Sequence, residues 1–162
     1  MSIRQLQTMI VDDDPSIVRL LTKVLHDAFQ GELTLHSFSD SVQALEWLDH
    51  NFCDILISDI EMPAADGMTM LQRAKARNAW TQVIFLTGHS SWDRVTQAIE
   101  NGASDFLLKP LDRKEIVHIV RQEIARFGRW QMALRGKRIE SPEIPIVTIA
   151  GETFQETSLA GL

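Results

Sequence analysis

Short apolar runs and helical patterns alternate five times between Leu6 and about Leu134. This alternation predicts a parallel sheet with helices packed on both of its faces. The predicted strands are Leu6–Val11, Glu32–Phe38, Asp54–Ser58, Gln82–Thr87 and Asp105–Leu108. The predicted helices are Pro15–Ala28, Ser41–His50, Gly67–Arg77, Trp92–Glu100 and Asp112 to about Leu134.

Polar residues stand where four of these predicted strands end. Three consecutive aspartates follow the first strand, Asp59 follows the third, Thr87 closes the fourth and Lys109 follows the fifth. Because the carboxyl ends of parallel strands meet at one edge of a sheet, we expect these side chains to converge there.

The three aspartates do not all have a structural reason to be present. Asp14, followed by proline, is a good N-cap for the first helix, but capping needs neither Asp12 nor Asp13. Two carboxylates about 4 Å apart repel by roughly 4 kcal/mol at an effective dielectric constant near 20. A hard divalent cation would offset this repulsion. Asp59 is a candidate nucleophile or metal ligand, because Asp66 is the better cap for the third helix.

Together these residue types predict a site for a phosphoryl group. The acids would hold Mg²⁺, while the hydroxyl of Thr87 and the ammonium of Lys109 would bind phosphoryl oxygens.

Composition excludes several other classes of protein. A net charge of −6 argues against a general nucleic-acid binder. The one cysteine, Cys53, rules out an internal disulfide, and no apolar run approaches the roughly 20 residues of a membrane span. With no signal-peptide pattern at the N-terminus, we expect a cytoplasmic protein without a membrane partner.

Four stretches in this order, "IVDDDP", "DILISDIEMPAADG", "VIFLTG" and "NGASDFLLKP", resemble the receiver domain of response regulators in two-component signalling. The resemblance runs from about Leu6 to Phe127, and we assign residues 1–127 to this domain. It implies a doubly wound, flavodoxin-like α/β fold with five parallel strands in the order 2-1-3-4-5. It also implies a cis peptide bond between Lys109 and Pro110.

The resemblance further implies phosphorelay signalling rather than an enzyme that turns over a substrate. The domain would take a phosphoryl group from a histidine kinase or a phosphotransfer protein and then switch the face formed by its fourth helix, fifth strand and fifth helix. The resemblance implies that Asp59 is the phosphoacceptor and that Asp12 and Asp13 are the acid pair, with Asp13 the more direct Mg²⁺ ligand. It implies that Glu61 is a metal ligand through its backbone carbonyl. It also implies that Thr87 and Lys109 bind the phosphoryl group and that Thr87 and Phe106 are the switch residues.

The chain departs from the family pattern in a few places. Ala64 stands where the family often has glycine, and Phe106 replaces a frequent tyrosine. Glu61 and His89, two residues beyond Asp59 and Thr87, are at positions that tune the lifetime of the phosphoryl group in this family.

Two alternative functions fit the sequence less well. A phosphatase of the haloacid-dehalogenase type also uses an aspartate nucleophile, Mg²⁺, a hydroxyl and a lysine. It needs a further acidic pair after the lysine, however, and would leave Asp59 without a role. A receiver that only binds proteins is disfavoured because all five site side chains (Asp12, Asp13, Asp59, Thr87 and Lys109) are present.

We expect residues 128–162 to form an extension of the final helix followed by an irregular acidic tail. A linker is one role open to this segment. The segment 139–162 holds four glutamates and neither lysine nor arginine. The apolar stripe of the final helix continues through Phe127, Trp130 and Leu134. One hypothesis is a homodimer through this helix; the other is that the tail covers the stripe. No direct nucleic-acid contact is expected from the receiver itself.

Overall fold

The computed structural model describes residues 4–88, 92–136, 147–149 and 152–154. Five parallel strands form one sheet in the order β2-β1-β3-β4-β5, which confirms the predicted doubly wound order. The strands are β1 Leu6–Val11, β2 Leu33–Phe38, β3 Ile55–Asp59, β4 Gln82–Thr87 and β5 Asp105–Leu108. The helices are α1 Pro15–Ala28, α2 Ser41–His50, α3 Gly67–Arg77, α4 Trp92–Glu100 and α5 Arg113–Gly136.

Every residue of β3 and β4 is buried, so these central strands carry apolar side chains towards both faces of the sheet. On one face, α2 and α3 contribute Ala44, Leu48, Met70 and Leu71 to a core that includes Leu56 and Phe85. Hydrophobic burial on both faces fixes the strand register, and with it the positions of the residues at the strand ends.

Local capping explains where the helices begin. Asp14 accepts a hydrogen bond from the backbone nitrogen of Ser16, and Asp66 accepts one from that of Thr69. Both aspartates satisfy backbone N–H groups that the first turn of a helix leaves unpaired. The caps predicted from the sequence are confirmed.

The third strand is shifted by one residue from the prediction, and the residue before it, Asp54, has a structural role through its side chain. Its buried side chain accepts hydrogen bonds from both terminal nitrogens of Arg4, at 2.7 and 2.9 Å, and from the backbone nitrogen of Gln7 at 2.8 Å. Asp54 therefore ties the N-terminal segment to the start of β3, and the strand itself begins at Ile55. Strand β2 likewise begins one residue later than predicted, because Glu32 donates its N–H to the turn carbonyl of Phe29.

The chain divides into two compact units, Met1–Ala125 and Arg126–Leu162, with the division inside α5. The second unit contains a short antiparallel pair, β6 Val147–Ile149 and β7 Glu152–Phe154, where no strand was predicted. The peptide bond between Lys109 and Pro110 is cis, as expected. Across the described residues, no helix is both long and apolar enough to cross a bilayer.

Candidate functional site

The carboxyl edge of the sheet brings the predicted acidic residues together. Asp12 and Asp13 follow β1 directly, and Asp59 is the last residue of the neighbouring strand β3. In this register Val11 is opposite Ser58, so the acids that follow these residues are adjacent. One carboxylate oxygen from each of the three aspartates lies within 4.8 Å of the others.

Lys109, which follows the edge strand β5, reaches the acidic cluster with its side chain. Its Nζ atom lies 2.8 Å from Oδ2 of Asp12 and 3.2 Å from Oδ2 of Asp59. Burial alone would lower the pKa of Lys109, but the two carboxylates outweigh this effect and raise it above its usual value. The lysine is therefore a fixed positive charge at neutral pH, and it offsets part of the repulsion between the acids.

Asp12 is fully buried and serves two purposes. Its Oδ1 atom accepts a hydrogen bond from the backbone nitrogen of Asp14 at 2.9 Å, which shapes the turn into α1. Its Oδ2 atom forms the ion pair with Lys109. Asp13, in contrast, is exposed at the rim.

Asp59 is 8% exposed, so one edge of its carboxylate is accessible from solvent. Desolvation raises the pKa of Asp59; the charge of Lys109 opposes this shift and the carboxylate of Asp12 adds to it. The backbone nitrogen of Glu61 makes a long hydrogen bond of 3.4 Å to Oδ1. A carboxylate held like this is weakly solvated and has few strong donors, which leaves it able to act as a nucleophile.

The donor set at this edge fits a hard divalent cation. Three carboxylates supply oxygen ligands, the type that Mg²⁺ prefers. Among the described residues, Lys109 is the one cation paired with these three carboxylates, so a bound cation would offset negative charge that the lysine alone does not neutralise. The role expected of the Glu61 carbonyl stays a prediction.

Thr87 and Phe106 lie on the strands beside this cluster. Thr87 is buried at the end of β4, and its carbonyl accepts a hydrogen bond of 2.8 Å from the backbone nitrogen of Lys109. Phe106 is half-buried on β5, with its ring centroid 6.3 Å from that of Phe85. Their switching roles stay predictions, and His89 lies outside the described residues.

One part of the site was not predicted from the sequence. The loop from β3 to α3 contains a three-residue turn in which the backbone nitrogen of Ala65 donates to the carbonyl of Pro63 at 2.8 Å. The central residue, Ala64, has a φ of +68°. The hydroxyl of Ser41 contacts both ends of this turn. The alanine in place of a frequent glycine was the only sequence signal that pointed here.

Comparison with known proteins shows to which family the sequence is related. Residues 8–121 match the family model described as response regulator receiver domain. The DNA-binding transcriptional regulator NtrC of Escherichia coli K12 is 36% identical over 138 residues, which cover 85% of this chain and 29% of that protein. The C4-dicarboxylate transport transcriptional regulatory protein DctD of Rhizobium meliloti is 33% identical over 113 residues, covering 70% of this chain and 24% of that protein. The chain thus spans less than a third of the length of these curated relatives.

Solved structures show the same fold. A receiver domain protein (CheY-like) from Methanospirillum hungatei superposes with a TM-score of 0.70 at 18% identity, covering 77% of this chain and 98% of that chain. The signal receiver domain of an HD domain-containing protein from Pseudomonas fluorescens superposes with a TM-score of 0.68 at 31% identity, covering 76% of this chain and 97% of that chain.

Proposed function

Because the chain belongs to the response regulator receiver domain family, we propose that it accepts a phosphoryl group on Asp59 and relays that signal to a partner. The observation that carries this proposal is the position of Lys109, whose Nζ atom lies within 3.2 Å of the Asp59 carboxylate beside two further acids. A lysine fixed at that distance can stabilise negative charge that develops on a phosphoryl group bound to Asp59.

The chemistry follows from the groups at the strand ends. One Asp59 oxygen attacks the phosphorus of a phosphohistidine, the phosphorus–nitrogen bond breaks, and the imidazole leaves as an acyl phosphate forms. Lys109 and the hydroxyl of Thr87 bind the transferred oxygens. Asp12, Asp13, Asp59 and the Glu61 carbonyl would hold Mg²⁺, which supplies positive charge that reduces the repulsion between nucleophile and phosphate.

Phosphorylation would then change the face formed by α4, β5 and α5. The new phosphoryl oxygens attract Thr87, and Phe106 on the adjacent strand turns inward into the space that Thr87 vacates. This face already presents large apolar side chains: Trp92 is 85% exposed and Leu108 is 62% exposed. Surfaces of this composition are suited to binding another protein.

The donor is a histidine kinase or a phosphotransfer protein, and the expected location is the cytoplasm. The relatives NtrC and DctD are transcriptional regulators by name, so the output of a longer relative can involve nucleic acid. In this chain we assign the signal-receiving step to residues 1–127 and leave 128–162 as a helical extension with a tail.

Phosphorylation of the full chain tests the proposal. Incubation with acetyl phosphate and Mg²⁺ should add one acid-stable, base-labile phosphoryl group, detected by intact mass. The variant Asp59→Asn should take none, while Asp49→Asn, which changes an exposed aspartate of α2, should label as the wild type does. Labelling of Asp59→Asn at the wild-type level would show that the assignment is wrong.

Homodimerisation through the final helix is a separate part of the proposal. On the distal part of α5, Met132 is 73% exposed and Leu134 is 57% exposed, so this stretch offers apolar surface. Light scattering of the full chain should show a dimer that phosphorylation favours. A monomer in both the phosphorylated and the unphosphorylated state would remove this part and leave phosphoryl acceptance unaffected.

A further inference from the structure

We propose that Ser41, on a helix that carries none of the predicted site residues, is a positioning residue for the phosphoacceptor loop. This inference rests on the proposed phosphorylation of Asp59. The phosphoacceptor loop is the segment from Ile60 to Asp66, which joins β3 to α3. Ser41 is the first residue of α2 and is 5% exposed, so its hydroxyl must find its partners within the protein.

The hydroxyl of Ser41 bridges the two ends of the turn in this loop. Its oxygen donates to the carbonyl of Pro63 at 2.9 Å and accepts from the backbone nitrogen of Ala65 at 3.3 Å. The same carbonyl and nitrogen bond each other across Ala64 at 2.8 Å. Ser41 thus reinforces a γ-turn from outside by bonding to both of its polar ends.

This turn needs reinforcement because of the residue at its centre. Ala64 has a φ of +68°, a conformation in which the Cβ of an L-residue is crowded by the backbone. Turns of this kind are rare and strained. An alanine here would relax to negative φ if nothing held the turn, and an open surface groove of about 650 Å³ lined by Glu61, Pro63, Ala64 and Arg94 leaves room for that movement.

The turn is close enough to the chemistry for such a movement to matter. Only Met62 separates it from Glu61, whose carbonyl is the proposed metal ligand and whose N–H contacts Asp59. The loop is also closed at its base, since the nitrogen of Gly67 donates to the carbonyl of Ile60 at 2.8 Å. With the base fixed, a change at Ala64 shifts Glu61 and Met62.

The variant Ser41→Ala tests this role without removing the helix cap. Asp40 caps α2 through its own side chain, which accepts from the nitrogen of Val42 at 2.8 Å, so α2 should still form. We expect phosphorylation of Asp59 by acetyl phosphate at saturating Mg²⁺ to slow roughly 10-fold, because displaced reacting groups lose their alignment. The weaker hold on the loop should also reduce the apparent affinity for Mg²⁺.

A matched control is available at the other end of the sheet. The hydroxyl of Ser104 donates to the side-chain oxygen of Gln82 at 3.0 Å and, like that of Ser41, accepts from a backbone nitrogen, here that of Val83 at 3.3 Å. Ser104→Ala therefore loses a similar pair of hydrogen bonds. It should lower the melting temperature and leave the phosphorylation rate within about twofold of wild type, since it does not contact the loop.

Restoration by a second substitution separates positioning from general stability. Glycine adopts positive φ without a Cβ penalty, so the double variant Ser41→Ala with Ala64→Gly should form the turn without the hydroxyl. It should regain most of the lost phosphorylation rate. A wild-type rate for Ser41→Ala, an equal loss in Ser104→Ala, or no recovery in the double variant would each overturn the proposal.

Amide hydrogen exchange provides a readout that needs no phosphorylation. In the metal-free protein, Ser41→Ala should accelerate exchange at the Ala65 amide roughly 10-fold, and Ala64→Gly should reverse this change. If the wild type takes no phosphoryl group, the proposed function fails, and exchange at Ala65 still decides the role of Ser41. Unchanged exchange in Ser41→Ala would then overturn it.

Discussion

A Cβ atom placed on Gly67 would lie 2.4 Å from the backbone carbonyl oxygen of Asp59. The same atom would be 2.8 Å from the ring of Phe85 and 2.9 Å from Cα of Ile60. None of these neighbours is the end of a flexible side chain, so none can move aside at low cost. The first turn of α3 therefore packs directly against the backbone of the proposed phosphoacceptor, and this approach requires glycine.

Substitution of Gly67 should damage stability and phosphorylation together. Gly67→Ala forces the backbone of β3 and α3 apart, and we expect the free energy of unfolding to fall by about 2–3 kcal/mol. The displaced Asp59 should also accept phosphoryl groups more slowly. Urea denaturation and labelling with acetyl phosphate measure the two effects.

The control is Gly128→Ala, within α5. Among the described residues, no atom lies within 4 Å of a Cβ placed there, and alanine is the better helix former by about 1 kcal/mol. This variant should be as stable as the wild type or more so, with normal phosphorylation. If Gly67→Ala denatured at the same urea concentration as Gly128→Ala, the close approach at Asp59 would be unimportant.

Lys109 should contribute to stability as well as to phosphoryl binding. Lys109→Met leaves the buried Asp12 and the largely buried Asp59 without their shared positive charge. Breaking a fully buried ion pair costs about 3–5 kcal/mol. Because Lys109 is partly exposed, we expect the free energy of unfolding to fall by about 2 kcal/mol. Thermal or urea unfolding without Mg²⁺ measures it, and added Mg²⁺ should recover part of the loss.

A surface lysine serves as the control for this charge removal. Lys23 pairs with Asp27 at 3.4 Å and is 74% exposed. Lys23→Met should change the free energy of unfolding by less than about 1 kcal/mol, as is usual for exposed pairs. Equal losses in the two variants would contradict a special role for the Lys109 ion pairs.

The acid cluster should be destabilising when no cation is bound. Asp13→Asn removes one charge from a group of carboxylates within 4.8 Å of one another. Because Asp13 is exposed to water, we expect the free energy of unfolding of the metal-free protein to rise by only about 1 kcal/mol. In saturating Mg²⁺ the wild type should be the more stable of the two proteins, because only the wild type keeps the full set of metal ligands. A lower melting temperature for Asp13→Asn without metal would refute the repulsion argument.

Features set by neighbouring residues could be predicted from the sequence. The caps at Asp14 and Asp66 depend on residues two or three positions away, and the alternation of strands and helices predicted a parallel sheet, whose strand order the family resemblance implied. The residues at the strand ends could be placed because parallel strands share one carboxyl edge. This reasoning predicted the cluster of Asp12, Asp13 and Asp59 that the structure brings together.

Contacts between residues far apart in the sequence could not be predicted in this way. Asp54 was assigned to a strand, yet it is the buried partner of Arg4, 50 residues earlier. The bond between Ser41 and the turn at Ala64 spans more than 20 residues and leaves no periodic pattern. The close approach of Gly67 to Asp59 likewise depends on how α3 packs, which a glycine alone does not reveal.

The pH dependence of stability should include a contribution from His36. Its Nε2 atom lies 2.8 Å from Oε1 of Gln7, and its ring centroid is 4.6 Å from that of Trp47. Burial lowers the pKa of His36, so the folded protein keeps this ring neutral where the unfolded chain, with a pKa of about 6.5, is protonated. The contribution to stability is therefore complete above about pH 6.5 and is lost as the pH falls towards the lower pKa of the folded state.

A neutral aromatic residue at this position should remove that contribution. His36→Phe keeps a ring against Trp47 but cannot be protonated. The variant should therefore become more stable relative to the wild type as the pH is lowered from 7 to 5. Urea titrations across this range measure the slopes, and parallel curves for wild type and His36→Phe would show that protonation of His36 is not linked to folding.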